Sequence, residues 1–494
     1  MTFVVELERD LPSRLPDGSA TAVFCVGRCF DTEGSIEHLE IVVDGVAHRV
    51  SAFGMPRPDR AAGARLGSTP DVLYSGFWGT VPVGASAAPG TIVIELRARL
   101  SDGNERRTEV GRIDVVAREA PPATSAEPAR SDLETLVVCM ATFEPDMKLL
   151  EVQIESLRGQ ADDRWICLIS DDCSSPERFA QILEIIGEDR RFAISRSEQR
   201  LGFYRNFERA LEMVPPSASL VALCDQDDRW HLDKLATLRA GIGDAILVYS
   251  DQRLVDADGA VLRDTLWEGR SNNHDSLASV LVANTITGAA TLFRRELLGL
   301  ALPFPDTPGF QFHDTWLAVI ALAAGRVAYI DRPLYDYVQH PGAVFGDVTH
   351  GERPAVVGRL RALRAWLRFR QRATGWRAAY FYGYLAREAQ AQTVLARCGP
   401  SLSGSKRRVL ERFVACDHSL IALAWLALRP ARAVLGHTET LGSELGLAQG
   451  VIWKMATASG ARHRRRVPGG LADASIPAPQ GFSQKRLRRW RSRI

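Results

Sequence analysis

The sequence predicts a central α/β domain with a parallel sheet, preceded by a small β-sandwich and followed by an α-helical region with a basic tail. Three observations lead there. Residues 1–117 read as short strands divided by turn signals. Residues 133–350 alternate near-continuous apolar runs with helix-like stretches, the pattern of a sheet covered on both faces. Residues 351–460 read as helical and are rich in Ala, Leu, Arg and Trp. A length of 494 residues suits about three domains, and 46 % hydrophobic with 24 % charged residues is ordinary globular composition.

In the first domain, residues 22–27, 39–43 and 91–100 are strand-like, punctuated by Asp44-Gly45 and Asp102-Gly103-Asn104. Several short strands with regular turns argue for an Ig-like sandwich, and no catalytic constellation is found in it. Residues 118–132 are a Pro/Ala/Ser linker, the clearest boundary in the chain.

In the α/β domain, residues 136–140, 165–170, 192–194 and 220–223 read as buried strands. Ligands of such sheets bind beyond the carboxyl ends of the strands. Polar residues follow that rule: Thr142 and Glu144 after the first strand, Asp171-Asp172-Cys173-Ser174-Ser175 after the second, and Asp225-Gln226-Asp227-Asp228 after a later one. The last group is the most informative. Three carboxylates within four residues, directly off a buried strand, are costly unless something cationic faces them. A divalent cation held by one or two carboxylates, its shell completed by phosphate oxygens, resolves that cost. The alternative is an N-cap with a first-turn acidic cluster for a helix starting near Trp230. Asp314, followed by the apolar run Trp316 to Ile320, is expected at a helix N-terminus, as a general base or as a cap.

The net charge of +2 hides an acidic body and a basic tail. Residues 351–494 hold 27 Lys+Arg against 7 Asp+Glu, leaving 34 against 52 in the first 350. Such asymmetry suits an anionic partner, membrane or nucleic acid. No nucleic-acid motif accompanies the basic stretch, so an anionic membrane surface is the expected partner. Residues 361–370 mix Arg with aromatics, and residues 419–428 are apolar for ten positions: too short to span a bilayer, suited to lying in its interface or to a helical bundle with a basic outer face. Residues 461–494 are expected to be disordered or a short interfacial helix. The first residues, interrupted by acid almost at once, are not expected to act as a signal peptide, and no run of 18 apolar residues occurs. Cys139, Cys167 and Cys224 lie in or at the end of apolar runs, as buried reduced thiols do. These readings together predict a cytoplasmic protein, peripheral at the inner face of the plasma membrane. Cys25 with Cys29 lacks a second pair, and His274, His313 and His340 are too widely spaced to suggest zinc.

Six segments, in order, carry a resemblance. They are Asp171 to Ser175; Leu201-Gly202-Phe203-Tyr204-Arg205-Asn206-Phe207; Asp225-Gln226-Asp227-Asp228-Arg229-Trp230; Thr287-Gly288-Ala289-Ala290-Thr291-Leu292-Phe293-Arg294-Arg295; Phe312-His313-Asp314-Thr315-Trp316; and Tyr337-Val338-Gln339-His340-Pro341, continuing to Gly346. They resemble, respectively, the acidic nucleotide turn, the helix start, the DXD motif, the acceptor segment, the H-D-x-W motif and the Y-R-Q-H-G segment of glycosyltransferase family 2. The likeness is strongest to its rhamnosyltransferase-like branch, and it covers residues 133–346, somewhat under half of the chain.

The resemblance implies a GT-A, Rossmann-like central domain and a metal-dependent inverting glycosyltransferase of the bacterial cell-envelope type. Asp227, with His340 and with Asp225 in support, would hold a divalent Mg²⁺ or Mn²⁺ ion. Thr142, Glu144, Asp172, Arg205, Asn206, Asp225 and Asp227 would bind a nucleoside-diphosphate sugar, dTDP-L-rhamnose being favoured. Gly288, His313 and Trp316 would line the side of a glycan or lipid-linked acceptor, and Asp314 would be the base. Val338 stands where the branch often has Arg, and Pro341 where Gly or a polar residue is commoner, which stiffens the backbone. A galactofuranosyltransferase using UDP-galactofuranose and a non-catalytic glycan-binding protein are the alternatives. Self-association into a homo-oligomer is left open.

Overall fold

The computed structural model describes residues 2–57, 73–86, 89–117, 135–267, 272–309, 311–340, 373–429, 431, 440 and 443–466. The linker, residues 341–372 and residues 467–494 lie outside that range. So do Pro341 to Gly346 of the sixth motif and the Arg/aromatic stretch 361–370.

The N-terminal domain is a sandwich of two sheets. Its strands are β1 (Phe3–Leu7), β2 (Arg14–Pro16), β3 (Thr21–Asp31), β4 (Ile36–Val43), β5 (Val46–Arg49), β6 (Ala52–Met55), β7 (Gly76–Val83), β8 (Gly90–Leu100) and β9 (Glu105–Val116). One sheet has the order β1-β3-β7-β6 and the other β2-β9-β8-β4-β5. Strand β8 shows why: Ile92, Ile94, Leu96, Ala98 and Leu100 are buried and alternate with half-buried or exposed neighbours, so one face is core and the other partly wet. The expected runs are all strands, and Asp44, at φ 45°, and Gly45, at φ 80°, make the tight β4–β5 turn.

The central domain contains β10 (Thr135–Thr142), α1 (Met147–Arg158), β11 (Trp165–Asp171), α2 (Pro176–Ile186), β12 (Phe192–Arg196), α3 (Phe203–Glu212), β13 (Ala218–Cys224), β14 (Arg229–Trp230) and α4 (Lys234–Gly241). It continues with β15 (Leu247–Asp256), β16 (Val261–Arg263), α5 (Leu277–Val282), β17 (Thr291–Arg294), α6 (Leu298–Ala301), α7 (His313–Ala324) and β18 (Val327–Gln339). The sheet order is β12-β11-β10-β13-β17-β15-β18-β14, with β16 beside β15. Strands β10 to β13 pair in parallel as expected. The sheet then turns mixed, because β17 lies antiparallel between β13 and β15. The chain reverses its direction of growth after β12 and returns to the other side of β10, so the cleft beyond β10 and β13 is the switch point where such sheets bind ligands.

The third part is helical in its described residues: α8 (Ala373–Ala378), a π-helical stretch Ala379–Tyr384, α9 (Leu385–Cys398), α10 (Gly404–Ala415), α11 (Leu420–Leu428) and α12 (Ser443–Arg466). Helix α12 runs to Arg466, past the 460/461 boundary read from the sequence. Its Arg462, Arg464, Arg465 and Arg466 continue the helix rather than open a tail.

The three parts are one packed body. Phe24, Val26, Ala52, Met55 and Trp78, on the outer face of the β1-β3-β7-β6 sheet, join the core that also holds the α/β sheet and the helices. Trp78 Nε1 donates to Tyr380 Oη at 3.1 Å, and its ring meets Phe381 edge-on at 5.0 Å. Arg397 donates to the carbonyls of Ala20, Leu300 and Pro303, which ties α9 to both neighbours. Trp78→Ala should therefore lower stability by about 3–5 kcal/mol, the usual range for deleting a buried aromatic. Denaturant unfolding checks this, and a loss below about 1 kcal/mol would show that the sandwich folds independently of the helices.

Candidate active site

The ends of β10, β11 and β13 meet in one cleft, as the alternation of apolar and polar segments predicted. Beyond β10, Phe143 N–H donates to Gln226 Oε1 at 2.8 Å, and Gln226 Nε2 returns a bond to Phe143 O at 3.3 Å. The loop after β10 is thus held against the acidic segment after β13. Helix α4 begins only at Lys234, so the carboxylates of 225–228 lie in the strand-end turn and not in a helical first turn. The capping alternative for them is excluded.

The acidic turn is electrostatically loaded. Burial pushes the Asp225 carboxyl up to about 7, with the charges of Asp227 and Asp314 adding to the effect. Burial, then Asp225 and Asp227, push Asp228 well above the carboxylate range. Asp228 Oδ1 accepts from Val338 N–H at 3.2 Å, whereas its Oδ2 is buried with no partner among the described residues. Asp227 Oδ2 lies 2.8 Å from His340 Nε2, and this hydrogen bond raises the imidazole pKa against the opposing effect of burial. The two residues that the resemblance pairs at a metal are thereby brought together by β13 and β18.

Lys234 was not anticipated. Its side chain is fully buried, its ammonium lies 3.6 Å from the Trp230 ring centre and 4.3 Å from that of Tyr335, and it donates to Ala289 O at 2.5 Å. Burial pulls its pKa down to about 7, while the fields of Cys224, Asp228 and Asp225 act in the other direction. A single lysine six residues beyond an acidic cluster reads as a surface charge in sequence, and only the tertiary fold turns it inward.

The acceptor segment meets the H-D-x-W motif directly. A Cβ on Gly288 would stand 2.7 Å from His313 Nε2 and 3.4 Å from Asp314 Cβ, so the glycine is what lets the two segments touch. His313 is buried, stacks on Phe207 at 3.7 Å, and is held near pKa 3 by burial. It is a neutral ring. Asp314 is half-buried in the first turn of α7, where the cap position is Phe312, and Thr315 N–H donates to its Oδ1 at 2.5 Å.

Several expected ligand residues have structural positions instead. Trp316 is 0 % exposed, with Nε1 donating to Ala301 O at 2.9 Å, so no sugar ring can lie on it. Asn206 is 2 % exposed; Nδ2 donates to Thr142 O and Ser170 O, and Oδ1 accepts from Ser170 Oγ at 2.6 Å. It clamps β10 to β11 rather than facing a donor. Thr142 is buried and donates to Asp171 Oδ1. Asp172 accepts from the Leu201 and Gly202 N–H groups at 2.5 and 2.9 Å, which shapes the start of α3. Arg205 turns to Glu208 Oε2 at 2.5 Å and to Phe304 O. Glu144, at φ 41°, accepts from Ser175 N–H at 2.6 Å and stays exposed.

Where β14 and β15 pair with β18, the fully buried Asp336 accepts from Arg229 Nε at 2.8 Å and Arg253 Nε at 2.6 Å, with His231 Nε2 at 3.0 Å. Burial opposes its charge, but these three partners hold the carboxyl well below the usual range. The network fastens β14, β15 and β18 together. Among the described residues, no three His, Cys, Asp or Glu side chains gather into a cage for a metal. A two-residue set completed by ligand phosphates needs no such cage. The orphaned Asp228 oxygen, the Asp227–His340 pair and the raised Asp225 all fit a cation at this place.

One pH dependence follows from the geometry. Asp225 has a folded value of about 7 against an ordinary 3.8. The folded chain therefore keeps a proton that the unfolded chain has lost between about pH 4 and 7, and stability falls as pH rises through that window. In chelator, Asp225→Asn should raise the thermal midpoint at pH 8 and lose this advantage at pH 4. An equal effect at both values in a melting scan would show that the carboxylate is not strained.

No curated protein matches the chain. Residues 1–349 of TarS from S. aureus, solved in complex with UDP-GlcNAc, share 14 % identity over 69 % of this chain and 95 % of that one, with a TM-score of 0.38. The mannosyltransferase PcManGT from Pyrobaculum calidifontis, solved with GDP-Man and Mn²⁺, shares 17 % over 68 % and 90 %, with a TM-score of 0.33. Likeness at that level decides nothing about this cleft. Residues 137–299, which hold the strand ends, the acidic turn and Gly288 but stop short of Asp314, match the family model for Glycosyl transferase family 2. The match supports a glycosyltransferase of the family 2 kind, to which this α/β domain is similar.

Proposed function

We propose that the chain transfers a sugar from a nucleoside-diphosphate donor to a cell-envelope glycan or lipid-linked acceptor with inversion, in a reaction that depends on a divalent metal. One observation carries the reading: the acidic turn with His340 and the Asp314 helix start face one cleft, joined through Lys234–Ala289 and Gly288–His313. A carboxylate cluster that needs a cation and a separate half-buried carboxylate near enough for its charge to reach Asp225 are the two groups that a direct displacement requires. dTDP-L-rhamnose is the favoured donor because Tyr337, Gln339 and His340 repeat the branch's segment. The membrane surface is the expected location of the acceptor, given the basic C-terminal third.

Asp227 and His340 would hold Mg²⁺ or Mn²⁺, with Asp225 beside them. The ion, when bound, neutralises the departing diphosphate as a Lewis acid. The remaining work falls to the chain. Asp314 accepts the proton of one acceptor hydroxyl as that oxygen attacks the anomeric carbon. A single such attack inverts the configuration. The backbone at Gly288 provides the close approach that a side chain would block. Neutral His313 packs behind it without competing for the proton. Asp336 and its cations hold β14, β15 and β18 in place.

Two experiments test this. Chelator should abolish nucleotide release from the correct donor, Mn²⁺ or Mg²⁺ should restore it, and Asp227→Asn should remove most of the metal-dependent donor affinity. Full turnover after metal stripping would overturn metal dependence. Asp314→Asn should cut kcat by about 10²–10⁴-fold, the range for a general base, with donor affinity kept within about threefold. Loss of donor binding or of fold, with turnover little changed, would instead assign Asp314 a merely structural place in the first turn of α7.

A further inference from the structure

Among the described residues, helix α11 carries an uncovered apolar face. Leu420, Ile421 and Leu428 are 74 %, 84 % and 71 % exposed, more than any other large apolar side chain among the described residues. Ala424 and Ala427 are exposed between them, and at 100° per residue all five fall on one side of the helix. The opposite side, Ala422, Leu423 and Leu426, is buried. Nothing charged interrupts the nine residues. Single exposed apolar side chains are ordinary, but a contiguous set on one helix marks a surface that something covers.

The rim says what covers it. Trp425 is half-buried at the edge, with the Arg412 guanidinium 5.8 Å and that of Arg429 5.2 Å from its ring centre. The preceding helix α10 holds Lys406, Arg407, Arg408 and Arg412 against Glu411 alone, with Arg408 and Arg412 exposed. Helix α12 packs on α11, and by sequence alone residues 461–494 carry ten Lys/Arg against Asp473. A second copy docked on this face about a two-fold axis would bring the same basic residues against one another. Anionic headgroups would meet them with opposite charge. An apolar helix face, a tryptophan at its edge and arginines beside it are the features of a helix lying in a bilayer interface.

We propose that the exposed face of α11 is the docking surface for an anionic lipid bilayer, with Leu420, Ile421 and Leu428 entering the acyl boundary while the arginines of α10 stay at headgroup level. At about 1.5 Å per residue, the helix is far too short to span. The inference deepens the membrane location read above by naming the surface, and it can fail separately from the basic tail and from the transferase reading.

The test uses the full chain, a chain ending at Arg466, and each with L420Q/I421Q/L428Q. Sedimentation is measured with phosphatidylcholine vesicles with and without phosphatidylglycerol. The full chain should bind the anionic vesicles and bind the neutral ones much less. The triple substitution should weaken binding by about 100-fold, as expected for removing apolar side chains that become buried, in both lengths of chain, with an unchanged melting midpoint. Should the triple variant melt early, quenching by brominated lipid in the otherwise unaltered protein decides the matter. A quenched component lost in Trp425→Phe supports docking, and its absence overturns it. Parent-like binding by a stably folded triple variant would overturn the proposal, as would no binding by the parent. So would a parent dimer that the substitutions turn into a monomer. Nucleotide release with soluble acceptors is measured in parallel and reports on the transferase reading alone.

Discussion

The central constraint in this molecule is the unfavourable proximity of carboxylates at the end of β13. Asp225, Asp227 and Asp228 share a partly buried turn, and Asp314 faces them closely enough to raise Asp225. At an effective dielectric of about 20, two like charges 4 Å apart repel by about 4 kcal/mol. One buried cation, Lys234, lies within their field. It cannot balance the set, so the turn either keeps protons or takes up a positive ion. The chemistry proposed for the cleft follows from that imbalance.

The surrounding structure keeps the imbalance from relaxing. An exposed acidic turn would swing outward into water. Here Val338 N–H fixes Asp228, Gln226 fixes the neighbouring loop, and Lys234 anchors the turn to Ala289 between two aromatic faces. The same Ala289 adjoins Gly288, whose lack of a side chain makes room for His313 and Asp314. The acidic turn and the Asp314 helix start therefore share one mechanical chain. Residues such as Asn206, Thr142 and Asp172 serve that chain by fixing strand ends, which is why their polar atoms are already used within the protein.

The flanking parts do more than decorate the α/β domain. The sandwich's outer sheet, with Trp78 at its centre, packs on α9 and the π-helical stretch, and buried polar groups cross that junction. Ala22 N–H donates to Thr393 Oγ1 at 3.1 Å, Gln392 Nε2 donates to Thr80 O at 3.2 Å, and Thr80 Oγ1 donates to Glu388 Oε2 at 3.5 Å. A buried polar junction of this type favours one orientation, since sliding would leave its polar groups without partners. The helical region is thereby held rigidly with α11 outward, and a surface helix fixed in that way can set how the whole body meets a membrane.

By itself the sequence determined the parts and the lip of the site. Short apolar runs bounded by turn residues suit strands covered on both faces, alternation suits a half-wet sheet, and three carboxylates within four residues off a buried strand need a proton or a counter-charge; each is a local property of neighbouring residues. It also placed Asp314 at a helix start and paired Asp227 with His340 through resemblance. What it did not contain was long-range placement. Trp316 and Asn206 have the right residue types for ligand contact, yet packing encloses them. Lys234 has the pattern of a surface charge, yet it is drawn beneath the cleft. The antiparallel β17, the docking of Trp78 on Tyr380 and the outward face of α11 likewise depend on segments tens to hundreds of residues apart. Burial and field strength are sums over all neighbours in space, so only the tertiary structure decided them.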